Sequence, residues 1–146
     1  MDASSIIDRA SQACTDVFLS TPVFLAYAYG SRVDGGATPA SDLDIGYYLS
    51  TPGSLPLAEE MILADRLSRR LGVDVDLRNL GTAPLEWRAR VLERGRRLHC
   101  TDESRRVAIE RELMVRWFDE QPRIERLHAT RLASFAAEGL AGEPTR

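Results

Sequence analysis

The chain is expected to fold as an α/β protein, a small mixed sheet covered by helices. Two features of its sequence predict this. Apolar runs of strand length alternate with amphipathic runs of helix length, and Pro22, Gly30, Gly72 and Gly95 stand where one element should give way to the next. At 146 residues, 44% of them hydrophobic, the chain can build one core without staples. We therefore expect residues 1–146 to form a single domain.

Taken in order, Ser4 or Ser5 is a good cap for a first helix, along which Ile6, Ile7, Ala10, Cys14, Val17 and Phe18 recur at helical spacing. Pro22 ends that region. Val23 to Tyr29 is apolar throughout and rich in branched and aromatic residues, as a strand buried on both faces requires. Gly35, Gly36 and Pro39 mark a loop from Val33 to Ser41, and Leu43 to Leu49 reads as a second strand. Leu57 to Leu71 carries Leu57, Ala58, Met61, Ile62, Leu63, Leu67 and Leu71 among charges, giving a surface helix closed by Gly72.

Val73 to Leu77 alternates apolar and acidic residues as a half-exposed strand. Pro84 suits the first turn of a helix through Val91 and Leu92, and Arg97 to Cys100 gives a short last strand. From a cap at Thr101 or Asp102, a helical stretch over about 102–138 carries Val107, Leu113, Val115, Trp117 and Phe118, with an interruption or kink at Pro122. A polar tail follows.

Composition excludes several classes. The net charge is −3, and all 19 basic residues are arginines scattered along the helices, so no direct nucleic-acid binding is expected. Cys14 and Cys100 are in neither metal-ligand nor redox spacing, which suits a reducing compartment. No signal-peptide pattern and no apolar run near 20 residues is present, so a cytoplasmic location away from membranes is expected.

The informative segment runs Ala28-Tyr29-Gly30-Ser31, continues through a loop, and reaches Asp42-Leu43-Asp44 at the start of the next strand. Gly30 lets the chain turn tightly and lets backbone donors approach an anion, while Ser31 adds a hydroxyl. Arg32 could hold a phosphate or be a plain surface cation. If the second strand returns antiparallel beside the first, Asp42 and Asp44 come back to the end where Ser31 lies. Two residues apart on a strand, they share one face with Cα atoms roughly 7 Å apart. Carboxylates about 5 Å apart repel by about 3 kcal/mol at an effective dielectric of 20, and a cation reverses that sign. Hard oxygen ligands with open positions suit Mg²⁺ carrying a nucleoside triphosphate. A two-metal arrangement needs a further carboxylate, for which Asp74 and Asp76 are both candidates.

Gly-Ser, ten residues, Asp-x-Asp and a later acidic strand resemble the minimal nucleotidyltransferase (MNT) family of the DNA polymerase β superfamily. Val75-Asp76-Leu77-Arg78-Asn79-Leu80-Gly81-Thr82-Ala83-Pro84 resembles the segment carrying that family's third acid, which places it on Asp76. Arg105, Arg106, Trp117, Phe118 and Asp119 resemble its C-terminal helix more loosely. The resemblance implies a polymerase β-like fold and transfer of AMP from ATP, with Asp42, Asp44 and Asp76 as catalytic metal ligands and Gly30, Ser31 and Arg32 at the nucleotide.

It also implies a partner, a HEPN-type ribonuclease toxin in a hetero-oligomer, modified on a hydroxyl, with tyrosine the expected acceptor. Two other readings stay open: an antitoxin that neutralises by binding alone, and a small-molecule (antibiotic) adenylyltransferase. The family often follows its Gly-Ser-Arg with a second basic residue and a glycine, whereas Val33 and Asp34 precede Gly35 here. Tyr47, Tyr48, Trp87 and Trp117 are expected to pack. Arg123 and His128 match a HEPN-type arginine–histidine motif, which is set aside because arginine is frequent and the chain is not all-helical.

Overall fold

Val23–Tyr29 forms β1, and in the computed structural model, which describes residues 3–38 and 40–142, six of its seven residues are buried. The run is uncharged because the strand is interior to the sheet and is covered on both faces. Leu43–Leu49 forms β2, Val75–Asn79 β3 and Arg96–Cys100 β4. The four-stranded sheet has the order β3-β2-β1-β4. β1 pairs antiparallel with β2 and β4, whereas β3 runs parallel to β2, so the sheet is mixed.

Helices cover both faces. On one lie α1 (Ala3–Val17) and α3 (Leu57–Leu71), whose Ile6, Ala10, Cys14, Leu63, Leu67 and Leu71 pack on Ala26, Ala28, Leu43, Ile45, Tyr47 and Leu77. On the other lie α4 (Leu85–Arg94) and α5 (Glu103–Gly142), with Leu25, Tyr27, Tyr48, Leu80 and Val91 in a second, smaller core. A four-residue helix α2 (Ser31–Asp34) follows β1, and a 3₁₀ turn (Leu80–Thr82) follows β3. Strand alternation therefore divides β2 and β3 into an apolar face toward α3 and a polar face toward α4.

Several elements differ from the sequence expectation. β3 begins at Val75 and not Val73, because its parallel pairing starts where Leu43 meets Val75, and Asp74 enters only through its carbonyl, which accepts from Leu43 N at 2.8 Å. In α3, Met61 and Ile62 are exposed, since the 3.6-residue period buries the Leu63, Leu67 and Leu71 stripe alone. α1 already includes Ser4 and Ser5, so neither is its cap. Asp102 does cap α5, its Oδ1 accepting from Arg105 N at 3.0 Å.

α5 runs through Pro122 without ending and continues to Gly142, past the expected limit near 138. Pro122 and Phe118, whose carbonyl loses its partner, are both exposed, so water can satisfy the free acceptor. Of the apolar residues expected to anchor the helix, only Leu113 is buried. Glu110 adds a polar tie, accepting from the Tyr27 hydroxyl and pairing with Arg106 at 2.7 Å. Pro39 of the loop and residues 143–146 of the expected tail lie outside the described residues.

Candidate active site

The carboxylates gather because of register. Tyr29 is the antiparallel partner of Asp44, and Asp44 is the parallel partner of Asp76. These side chains project from one end of three adjacent strands, on the polar face toward α4. Asp42 lies one step outside β2 on the same side, exposed at the mouth of the site.

Gly30 joins β1 to α2 with φ 82° and ψ −162°, a conformation essentially confined to glycine. A Cβ there would sit 2.1 Å from Asp44 Oδ2, so the missing side chain makes the room that the carboxylate occupies. α2 then turns tightly, with Val33 N and Asp34 N both donating to the Gly30 carbonyl. Ser31 is exposed at its first turn. Arg32 Nε donates to the Ser41 carbonyl at 2.8 Å, tying α2 to the residue before Asp42.

The electrostatics carry the mark of crowded acids. Burial lifts the Asp44 carboxyl above its ordinary value, the charges of Asp76 and Asp42 lift it further, and Arg78 opposes them. Burial, then the charges of Asp44 and Asp76, push the Tyr29 phenol up to about 12. Asp74 is not among these influences. It is exposed and faces a separate cleft with Arg32, Ser41, Ser68 and Arg69. Geometry thus brings Asp42, Asp44 and Asp76 together and leaves Asp74 apart.

Among the described residues no three acidic, histidine or cysteine side chains are drawn to full ligand spacing. The donor set nevertheless suits a divalent cation. It is all carboxylate oxygen, and the repulsion that raises Asp44 is what a cation would relieve.

Two clefts flank the acids. One, of about 500 Å³, lies beside Gly30 and Asp34 and is lined by Tyr29, Trp87, Arg90 and Arg94, a size suited to a small-molecule ligand. The other opens on the outer side of β3 and is lined by Asp76, Arg78, Asn79, Thr82, Pro84 and Trp87. Trp87 stands between them. The sequence reading missed Arg78 and Trp87 as site residues. Arg78 was accessible in principle, since it follows Asp76 by two and so shares its face. Trp87 had no signal, because an aromatic on an amphipathic helix reads as packing.

A nucleotide-handling fold with paired acids at the end of its central strands is the class that this arrangement defines. The model of the polymerase beta nucleotidyltransferase family matches residues 12–104, and the chain belongs to that family. Among solved structures it is similar to a chain of a toxin–antitoxin complex with AMP-PNP, with TM-score 0.61 and 23% identity over 81% of this chain and 98% of that one. It is also similar to a chain of the complex between a tri-AMPylated HEPN toxin of Shewanella oneidensis and its MNT antitoxin (TM-score 0.56, 21% identity, 82% and 96% covered). A chain of the MntA–HepT toxin–antitoxin gives TM-score 0.56 and 21% identity, with 82% and 97% covered. These likenesses show a common fold. Comparison with curated proteins gives no match.

Proposed function

We propose that the protein is an antitoxin of the MNT type, transferring AMP from ATP to a hydroxyl of a HEPN toxin, with tyrosine the acceptor. The observation that carries this reading is the alignment of Asp44 with Asp76 across paired strands, with Gly30 at the same end. The complexes in which similar chains occur, one with an AMPylated toxin and one with AMP-PNP, support the choice of partner and nucleotide. Such a protein works in the cytoplasm as part of a hetero-oligomer, and no described helix is long and apolar enough to cross a membrane.

In this reading Asp42 and Asp44 would hold the Mg²⁺ that neutralises charge at the phosphates, and Asp76 would complete the metal site at the catalytic ion, on the acceptor side. Gly30 and Ser31 receive the β- and γ-phosphates at the turn into α2, with Arg32 fixing that turn to the Asp42 loop. The acceptor oxygen attacks the α-phosphorus, its proton passes to Asp76, and the bond to the leaving pyrophosphate breaks in line. Asp76, on the strand farthest from Gly30, stands on the side from which the acceptor must come.

The test is incubation of the purified protein with labelled ATP, Mg²⁺ and a HEPN-type ribonuclease, taken from the neighbouring reading frame if one is encoded there. Label on that partner is expected from the unaltered protein. Asp76→Asn should abolish labelling, and Asp74→Asn should leave it within about twofold, since Asp74 faces another cleft. Equal loss in the two variants would overturn the assignment of the third acid.

One observation favours a second reading. Asp34 lines the cleft beside Gly30, where a negative charge opposes a triphosphate. An antitoxin that works by binding alone would still suppress toxicity after Asp44→Asn and would label nothing. Label on a small molecule and not on the partner would support the antibiotic adenylyltransferase instead.

A further inference from the structure

Asp76 lies on the edge strand of the sheet, with the like charge of Asp44 as its neighbour across the ladder. An edge carboxylate so placed is driven outward to solvent unless something holds it. Arg78 is two residues on, on the same face, and its Nε donates to Asp76 Oδ2 at 3.3 Å. An exposed ion pair alone has little energy and little directional hold.

Arg78 is itself held. Its guanidinium lies 5.5 Å from the centre of the Trp87 ring, and Trp87 meets Tyr29 edge-on at 6.4 Å and 76°. Tyr29 pairs in register with Asp44, and Asp44 with Asp76. Side-chain contacts thus run from Asp76 through Arg78 and Trp87 to Tyr29, and strand pairing sets Tyr29 and Asp76 on either side of Asp44.

We propose that Arg78 is a positioning residue, clamped on Trp87, that aims the Asp76 carboxylate into the cleft on the outer side of β3, through which the acceptor hydroxyl arrives. This rests on the AMP-transfer reading for its direction, since an acceptor in line with a pyrophosphate leaving near Gly30 enters from the opposite side. The outer cleft is the one that Asp76, Arg78 and Trp87 share. Arginine is needed for both contacts at once. Its planar head can stack on indole while Nε points along the strand to a carboxylate, which the ammonium of lysine cannot do.

The experiment uses the full chain carrying Trp117→Phe, which leaves Trp87 as the single tryptophan. Arg78→Ala, Arg78→Gln and Arg78→Lys are compared for transfer rate, AMP-PNP affinity with Mg²⁺, and Trp87 emission. Arg78 is half exposed, so these variants should fold, and circular dichroism checks it. The expected result is a fall in kcat of about 10- to 100-fold for all three, the cost of a misplaced catalytic group, with AMP-PNP affinity nearly unchanged. Trp87 emission should change on Arg78→Ala, and Mg²⁺ should alter it only where Arg78 is present.

Full activity in Arg78→Lys would overturn the proposal, as would a loss of AMP-PNP affinity that parallels the loss of kcat, which would make Arg78 a nucleotide ligand. If the unaltered protein transfers nothing, the AMP-transfer reading falls on its own. The emission arm then decides the clamp, and Trp87 emission insensitive to both Arg78→Ala and Asp76→Asn sinks it.

Discussion

Asp44→Asn is expected to lower AMP transfer by about 10³-fold or more, roughly 4 kcal/mol of transition-state stabilisation, while making the metal-free protein more stable. The two effects have one cause. Asp44 is the carboxylate most hemmed in, raised above its ordinary value by burial and by Asp76 and Asp42. Without a cation that crowding is a cost, and an amide of the same shape removes it. After discounting for solvent screening at a half-exposed site, the gain is about 0.5–1 kcal/mol, or about 2 °C in Tm for a chain of this size.

The pH dependence follows with a definite sign. The folded protein holds the Asp44 proton more tightly than the unfolded chain, so metal-free stability falls as pH rises from near 3.8 through the raised value. Asp44→Asn should flatten that limb. Thermal melts with and without Mg²⁺ check the account: Mg²⁺ should stabilise the unaltered protein and have no effect on the variant. A variant less stable than the parent in the absence of metal would refute it.

Gly30→Ala should lower transfer by about 100-fold and, unlike Asp44→Asn, should destabilise the fold. The backbone conformation strains any L side chain by about 1–3 kcal/mol. In addition, the new methyl would meet Asp44 Oδ2 at 2.1 Å and drive the carboxylate from its place. Displacement of about 1 Å in a catalytic group is worth about 100-fold in rate. Gly35→Ala separates strain from collision. Gly35 has φ 93°, but nothing lies within 4 Å of its added Cβ, so that variant should lose stability and keep most activity. Equal activity losses in the two glycine variants would show that the collision with Asp44 is irrelevant.

Much of the fold was legible because its signals are local. Val23–Tyr29 and Leu43–Leu49 were found to the residue, since a largely apolar run bounded by turn residues has few alternatives. The start of β3 was not, because alternation continues back to Val73 and only pairing with β2 ends the strand at Val75. Of the interruption or kink inferred at Pro122, the interruption is absent, because exposure lets water satisfy the freed carbonyl.

From chain order alone it followed which residue types would meet if the second strand returned antiparallel to the first: a glycine at a tight turn, a hydroxyl beside it, and two acids of like facing on the next strand. Those are consequences of chirality and the two-residue period of a strand, and they need no knowledge of distant contacts. Strand register set what surrounds the acids, and it paired Asp44 with Asp76, the acid to which the resemblance pointed. Asp74 and Asp76 have the same local pattern, and only the register of β3 against β2 sets Asp76 beside Asp44 and turns Asp74 to another cleft. Trp87 joined Arg78 at the site only when α4 was laid across the sheet, because a stacked cation is a contact between elements and leaves no trace in either one alone.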